Sequence, residues 1–338
     1  MMLRIKVKRE TKILLCLLFL PPVLGELLSG SSPPLMFFNP FTLLTLVLLY
    51  GCGTLLIREA KARWKLQWSV VFLAVAYGIV EEGILVKSFF NLGWQDLGAL
   101  SGYGMYLGVQ WPWTILLTLY HATISTLIPI AIMELLWPEY KYTPLLRRRG
   151  LILTFVGISL VVIWGMIFMG IQEGEKMIPY YPNLLLLVGS FASVILLVWL
   201  AYKYRNSKVL ANAALLFAPL AFAGLGFLCQ AFNLLVPNIL AGASVHAAIT
   251  ILVQLMGIAI VLLFVFYQIY HQNITKRHIV SLVFGSVLFF ILLTPVQEFA
   301  EDVNPDPTQG MLVVGIISLV LLIVWKRIVL KGENSHRA

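Results

Sequence analysis

Long apolar runs alternate along this chain with short polar connections, and the runs fall at 13–29, 41–57, 67–90, 111–137, 151–171, 183–202, 209–232, 243–270, 279–297 and 311–330. At 1.5 Å per residue each run is long enough to cross most or all of a hydrocarbon core about 30 Å thick. Within the runs apolar residues are continuous and do not alternate with polar ones, which predicts helices and excludes a barrel. The expected fold class is therefore all-α, a polytopic transmembrane helix bundle of about ten spans, forming a single integral membrane domain over 1–338. The first run is interrupted by Pro21 and Pro22. Its apolar character continues past them, so a retained first span is expected. A cleaved signal peptide with Val23-Leu24-Gly25 as the small-residue site is the alternative.

Charge gives the runs a direction. Of 24 lysines and arginines, all but Lys87 and Lys176 fall at the start, in the connections 58–65, 138–150, 203–208 and 276–277, or after Trp325. These are alternate connections, so both termini are expected on the cytoplasmic side by the positive-inside rule. The opposite connections carry Asp96, Glu173, Glu175, Glu301, Asp302 and Asp306 and almost no base. A net charge of +9 would suggest nucleic acid for a soluble chain. Here it follows the sides of a membrane, so the lipid bilayer is the expected partner and nucleic acid is not. The composition agrees, with 60% hydrophobic and 12% charged residues, against about 25% charged in soluble domains. The expected setting is the cell membrane of a prokaryote. The sequon at Asn273 falls on the cytoplasmic side, where it is silent. Cys16, Cys52 and Cys229 lie inside apolar runs without CxxC spacing, which disfavours a disulfide framework or a cysteine metal site.

Two features depart from plain spans. Residues 92–110 hold five glycines, several aromatic or leucine residues and one charge, Asp96. So apolar a connection is expected to fold back as an external lid or re-entrant segment, or to lie at the interface on Trp94, Tyr103 and Tyr106. The second feature is Glu81-Glu82 inside the third span. One acid at the bilayer centre costs roughly 2.5–3.5 kcal/mol even on mild insertion scales. Such a pair normally faces other polar groups. Tyr77, Glu81 and Ser88 share one helical face, and Lys87 is expected to snorkel to the outer end. In the fourth span Thr114, Thr118, His121 and Ser125 form one helical stripe, and Pro129 removes the amide that would bond the Ser125 carbonyl. A stripe of this kind is expected to line a cavity. In the eighth span His246 and Thr250 lie on a small or polar face after a turn expected at Pro237-Asn238. Glu81, Glu82, His121 and His246 are all expected in the outer half of the bilayer. Glu26 and Glu134 lie near helix ends and call for no function.

Two histidines with one carboxylate are the common ligand set of a catalytic zinc site, and a second carboxylate can serve as general base. On that reading His121, His246 and Glu81 are candidate ligands of a divalent metal such as zinc. Glu81 and Glu82 are the candidate catalytic acids, with Tyr77, Thr114, Thr118, Ser125 and Thr250 lining the cavity. A glutamate pair in one span, a histidine in the next and a histidine in a later one resembles the CAAX-prenyl-protease and bacteriocin-processing (Abi) intramembrane proteases. In that family the glutamates and histidines activate water for peptide hydrolysis. The resemblance implies that Glu81 and Glu82 are its glutamate pair, His121 its second motif and His246 its third. The sequence has Val86 where the family's first motif carries arginine, Leu117 where its second carries phenylalanine, and Thr250 where its third carries an amide or acid. A proton-coupled transporter also fits ten spans with intramembrane acids and histidines, and a structural membrane protein without catalysis is the third possibility.

Overall fold

In an apolar solvent each backbone N–H and C=O must find its partner within its own segment, and this chain meets that demand with helices. The computed structural model describes residues 8–173, 176–207, 216–271, 273–299 and 307–334. Helix α1, Arg9–Pro22, continues through a π-helical turn, Val23–Leu27. Helix α2 spans Pro40–Trp64. Helix α3, Val70–Ile79, also runs on into a π-helical turn, Val80–Leu85. After a lid come α4 (Trp111–Leu136), α5 (Arg148–Phe168), α6 (Leu184–Lys203), α7 (Pro219–Gly242), α8 (Ala247–Ile269), α9 (Lys276–Phe299) and α10 (Met311–Asn334). Among the described residues eight helices, α2 and α4 to α10, are long and apolar enough to cross a membrane. Helices α1 and α3 complete the bundle, with Ile13 and Leu17 of α1 and Ala74 of α3 fully buried.

The centre and the periphery differ in burial. In α4, 61% of the apolar window is buried inside the protein, against 11% in α6 and α8. Helices α2, α4 and α9, each with half or more of its window buried, therefore form the interior together with α3, whose Leu73, Ala74, Ala76 and Tyr77 are buried, and α6 and α8 lie at the periphery.

Several boundaries differ from those the sequence pattern predicts. The second span does not stop at residue 57: its helix runs to Trp64 and carries Arg58, Glu59 and Lys61 into buried positions. Pro237 lies inside α7, not in an external turn, so this span ends at Gly242 and not at residue 232. A membrane helix accepts an interior proline when neighbouring groups absorb the freed carbonyl. An antiparallel hairpin, β3 (Gly170–Glu173) with β4 (Lys176–Pro179), joins α5 to α6. Glu175, Glu301, Asp302 and Asp306 lie outside the described residues.

The two ends of the bundle are chemically distinct. At the basic end Glu59 accepts from Arg58 Nη1 at 2.7 Å, Arg63 Nη2 at 3.2 Å and the Leu145 amide at 2.7 Å. Arg58 also donates to the carbonyls of Tyr140 and Thr143, Lys61 pairs with Glu134, and Arg9 pairs with Glu139. Connections expected on one side of the membrane are thus joined at one end of the molecule. Glu134 has a structural partner there, in keeping with its reading from sequence.

At the opposite end residues 92–110 fold onto the helices. The stretch contains a 3₁₀ turn, Gln95–Leu100, and a two-residue hairpin of β1 (Met105–Tyr106) with β2 (Val109–Gln110). Leu97 and Leu100 pack with Phe89, Phe90, Trp113 and Leu116 in a buried cluster of their own. Gly104 takes φ +67°, and a Cβ there would meet Pro112 at 2.8 Å. The Tyr103 hydroxyl reaches the Val245 carbonyl and Thr250 Oγ1, each at 2.6 Å, which pins the lid to the start of α8. Lys87 does not snorkel. It is 1% exposed, has φ +66°, and donates to the carbonyls of Gly165, Met166 and Met169 at the C-terminal end of α5. A cation placed there satisfies the last orphan carbonyls of a helix and its dipole.

Candidate functional site

The acidic pair, the fourth-span histidine and two residues from the first two spans converge below the lid. His121 stands between the paired acids, with Nδ1 3.0 Å from Glu81 Oε2 and Nε2 3.0 Å from Glu82 Oε1. Its Nδ1 also lies 3.2 Å from Ser125 Oγ. Tyr50 of α2 bonds through its hydroxyl to both Glu81 and Glu26. Ser32 Oγ donates to the other Glu26 oxygen at 2.6 Å. On the far side Ser88 donates to Glu82 and accepts from Trp113 Nε1 at 2.9 Å. The result is one connected chain, from Ser32 through Glu26, Tyr50, Glu81, His121 and Glu82 to Ser88. Glu81, Glu82, His121 and Tyr50 are all buried.

Local backbone geometry aims these side chains. Glu26, Tyr50, Glu81 with Glu82, and His121 lie in four separate π-helical turns, Val23–Leu27, Val47–Gly51, Val80–Leu85 and His121–Leu127. The i+5 bonds are direct: Leu28 N donates to the Val23 carbonyl at 2.9 Å, and Val86 N to the Glu81 carbonyl at 2.8 Å. A π turn inserts one residue into the helical ladder, rotates the side chains that follow, and is frequent at functional sites. Two glycines permit the close approach. A Cβ on Gly78 would stand 3.0 Å from the Thr118 carbonyl oxygen, and one on Gly25 would stand 2.7 Å from Ser125 Oγ. Larger residues would push α1 and α3 away from the histidine helix.

The charge of this group does not balance. Three carboxylates, Glu26, Glu81 and Glu82, share one histidine, and among the described residues no lysine or arginine pairs with them. Burying even one uncompensated ion costs several kcal/mol. The Tyr50 hydroxyl has one proton for two carboxylates, so it can donate to only one at a time. Protons or a cation must make up the difference. For a cation the donor set is suitable: ligand atoms of Glu81, Glu82 and His121 lie within 4.8 Å of one another. Two carboxylate oxygens and one imidazole nitrogen are donor types that zinc or a similar divalent ion would take.

The structure separates the remaining sequence candidates. Tyr77 and Ser125 adjoin the cluster, Tyr77 with its ring 6.2 Å from that of Tyr50. Thr114 and Thr118 continue the stripe from His121 toward the lid. The Ser125 carbonyl freed by Pro129 does not line a cavity: it accepts from Thr54 Oγ1 at 2.9 Å and locks α2 to α4. Thr250 is fully buried, but against lid residue Tyr103. His246 is also set apart. It caps α8, is exposed, and accepts from the Ala248 amide through Nδ1 at 3.3 Å. It is not among the residues whose ligand atoms converge with Glu81, Glu82 and His121. The expectation placed His246 in the outer half of a span that begins at residue 243. The helix begins later, and the histidine falls at its very end.

Two members of the cluster carry weak sequence signals. Glu26 is near a helix end, as expected, but that end turns inward beneath Ser32. Tyr50 is one aromatic residue in an apolar run, and only its contact with Glu81, 31 positions away, marks it.

A family model matches residues 14–331, from within α1 to within α10. The chain belongs to an uncharacterized membrane protein family. No curated protein and no solved structure matches it. Within this family, then, the chain is a multi-pass membrane protein with a buried Glu-Glu-His group.

Proposed function

We propose that the chain is a metal-dependent intramembrane hydrolase of the cell membrane, with Glu81, Glu82 and His121 holding a divalent ion. One observation carries the reading: ligand atoms of two carboxylates and an imidazole converge in a buried cluster beside a third carboxylate, Glu26, and among the described residues no lysine or arginine pairs with them. A divalent ion supplies both the missing charge and an activated water. The protein's own groups have distinct parts. Glu81, Glu82 and His121 provide the donors. The Tyr50 hydroxyl lies between Glu81 and Glu26, where it holds the Glu81 carboxylate in place and can share a proton with Glu26. The lid excludes bulk water from the Glu82 side, and Ser88 and Trp113 hold that carboxylate in place. The likeness to the CAAX-prenyl and bacteriocin-processing proteases supports the same reading through the glutamate pair and His121, although Val86 and Leu117 depart from those two motifs. The substrate class that fits a site at this depth is a membrane-embedded peptide.

A second reading, a proton-coupled carrier, is favoured by the unbroken line of titratable groups from Glu26 to Glu82. Elemental analysis of the detergent-purified protein separates the two. A hydrolase of this design carries one divalent metal per chain, retained by His246→Ala and lost by His121→Ala. Protein without stoichiometric metal, taking up protons with a solute in vesicles, would overturn the hydrolase and favour the carrier.

A further inference from the structure

The lid carries an apolar tip that no described residue covers. Strands β1 and β2 pair Tyr106 with Val109, so Leu107 and Gly108 form a two-residue hairpin loop. Both loop residues have positive φ, +52° and +79°. A loop of that type calls for Asn-Gly or Asp-Gly, because a left-handed backbone suits glycine and short polar residues and strains other L side chains. This chain places leucine there, and its side chain is 76% exposed. Tyr106 beside it is 67% exposed, and Met105 is exposed as well. In water such a turn would have neither its favoured residue nor any burial to offset the strain.

The surroundings of the tip identify its solvent. It stands level with the first turns of two membrane helices. Trp111, the first residue of α4, donates through Nε1 to the Tyr106 carbonyl at 3.2 Å, and a Cβ on Gly108 would stand 3.1 Å from the Leu186 side chain of α6. Leu184 and Leu185 of that same turn are exposed on a helix long and apolar enough to cross the membrane. The tip thus continues a lipid-facing surface. Tyr106, Trp111 and Tyr181 are exposed aromatic residues at this level, the kind that collects at a membrane interface. No lysine, arginine, aspartate or glutamate lies between Asp96 and Glu134. The exposed polar residues of the lid, Gln95, Asp96 and Ser101, lie apart from the hairpin, in and just after the 3₁₀ turn. We infer that the Met105–Leu107 tip dips into the outer leaflet, with Leu107 among the acyl chains and Tyr106 at the headgroup boundary. The 3₁₀ end of the lid stays in water. The lid is then gripped at two places, by Tyr103 on α8 and by lipid at its tip. This insertion needs no metal at the acidic cluster.

Fluorescence of the full-length protein in phosphatidylcholine nanodiscs tests the placement. Leu107→Cys and Gln95→Cys, each in a background with Cys16, Cys52 and Cys229 changed to alanine, carry the same environment-sensitive maleimide dye. Two quenchers are compared, a lipid with a nitroxide near the top of its acyl chain and aqueous iodide. At position 107 the nitroxide lipid removes most of the emission and iodide removes little. At position 95 the order reverses, which excludes a dye that enters lipid by itself. Tyr106→Cys, also at an exposed side chain, gives the same reading where the position 107 protein fails to fold. Iodide quenching at the tip equal to that at position 95 would overturn the inference, as would lipid quenching equal at both positions. Emission at the tip that neither quencher reaches would also overturn it, because a second protein chain would then cover the hairpin.

Discussion

Glu82→Gln is expected to empty the metal site while leaving the fold intact. The substitution keeps the shape of the side chain and retains an oxygen to face His121 Nε2, 3.0 Å away in the wild type. It keeps a group that can bond Ser88, whose hydroxyl also accepts from Trp113. What it removes is charge. Losing one anionic ligand of three should weaken metal binding by more than the 10–100-fold typical of outer-shell changes, so metal content falls from one per chain to background. Without metal the sign reverses for stability. The wild-type cluster then holds three crowded acids against one histidine, and Glu82→Gln relieves part of that repulsion. The metal-free variant should unfold at a temperature equal to or above that of the metal-free wild type. A residue whose removal abolishes function but not stability is the signature of a site held together against its own electrostatics. A purely structural acid would behave in the opposite way, with a lowered midpoint and no metal to lose.

Glu59→Ala is expected to be the most destabilising single change at the basic end. Glu59 is 1% exposed and Arg58 is fully buried. The carboxylate is the sole anionic partner of Arg58 among the described residues, and it also accepts from the Leu145 amide at 2.7 Å. Removing one member of a buried pair strands the other charge and costs about 3–5 kcal/mol. Two carbonyls would remain to Arg58, those of Tyr140 and Thr143, and they supply no charge. The double change Arg58→Met with Glu59→Leu should recover most of the loss, because an apolar pair of similar volume has no desolvation penalty. Thermal unfolding in detergent reads both. If Glu59→Ala matched the wild type, the network would be decoration on a helix end.

The architecture was largely legible in the sequence because the bilayer imposes so simple a rule. Apolar length gave the helices, though not all their ends, and the alternation of lysine and arginine gave the expectation of their sides. Both signals depend on solvent and not on any particular contact. Glu81, Glu82 and His121 were legible for the same reason, since each violates the rule and must be compensated. Glu26 and Tyr50 were not. A glutamate near a helix end and a tyrosine in an apolar run are both ordinary, and their meaning lies in contacts 24 and 31 positions apart. The π turns were hidden as well. They shift a side chain by one register position and leave no trace in hydropathy. His246 was misplaced because Pro237 and Asn238 read as an external turn, whereas the helix absorbs them and continues to Gly242. Lys87 was misread by the default for a long cation near a span end, and its left-handed backbone and three carbonyl acceptors became evident only with α5 in place.

The most direct test of the metal centre is a crystal structure of the cobalt- or zinc-loaded protein, with data collected at the metal's absorption edge. The site described here predicts one anomalous peak among Glu81, Glu82 and His121, at about 2.0–2.2 Å from each ligand atom. Data with no peak at that position, and with both glutamates still bonded only to His121, Tyr50 and Ser88, would contradict it.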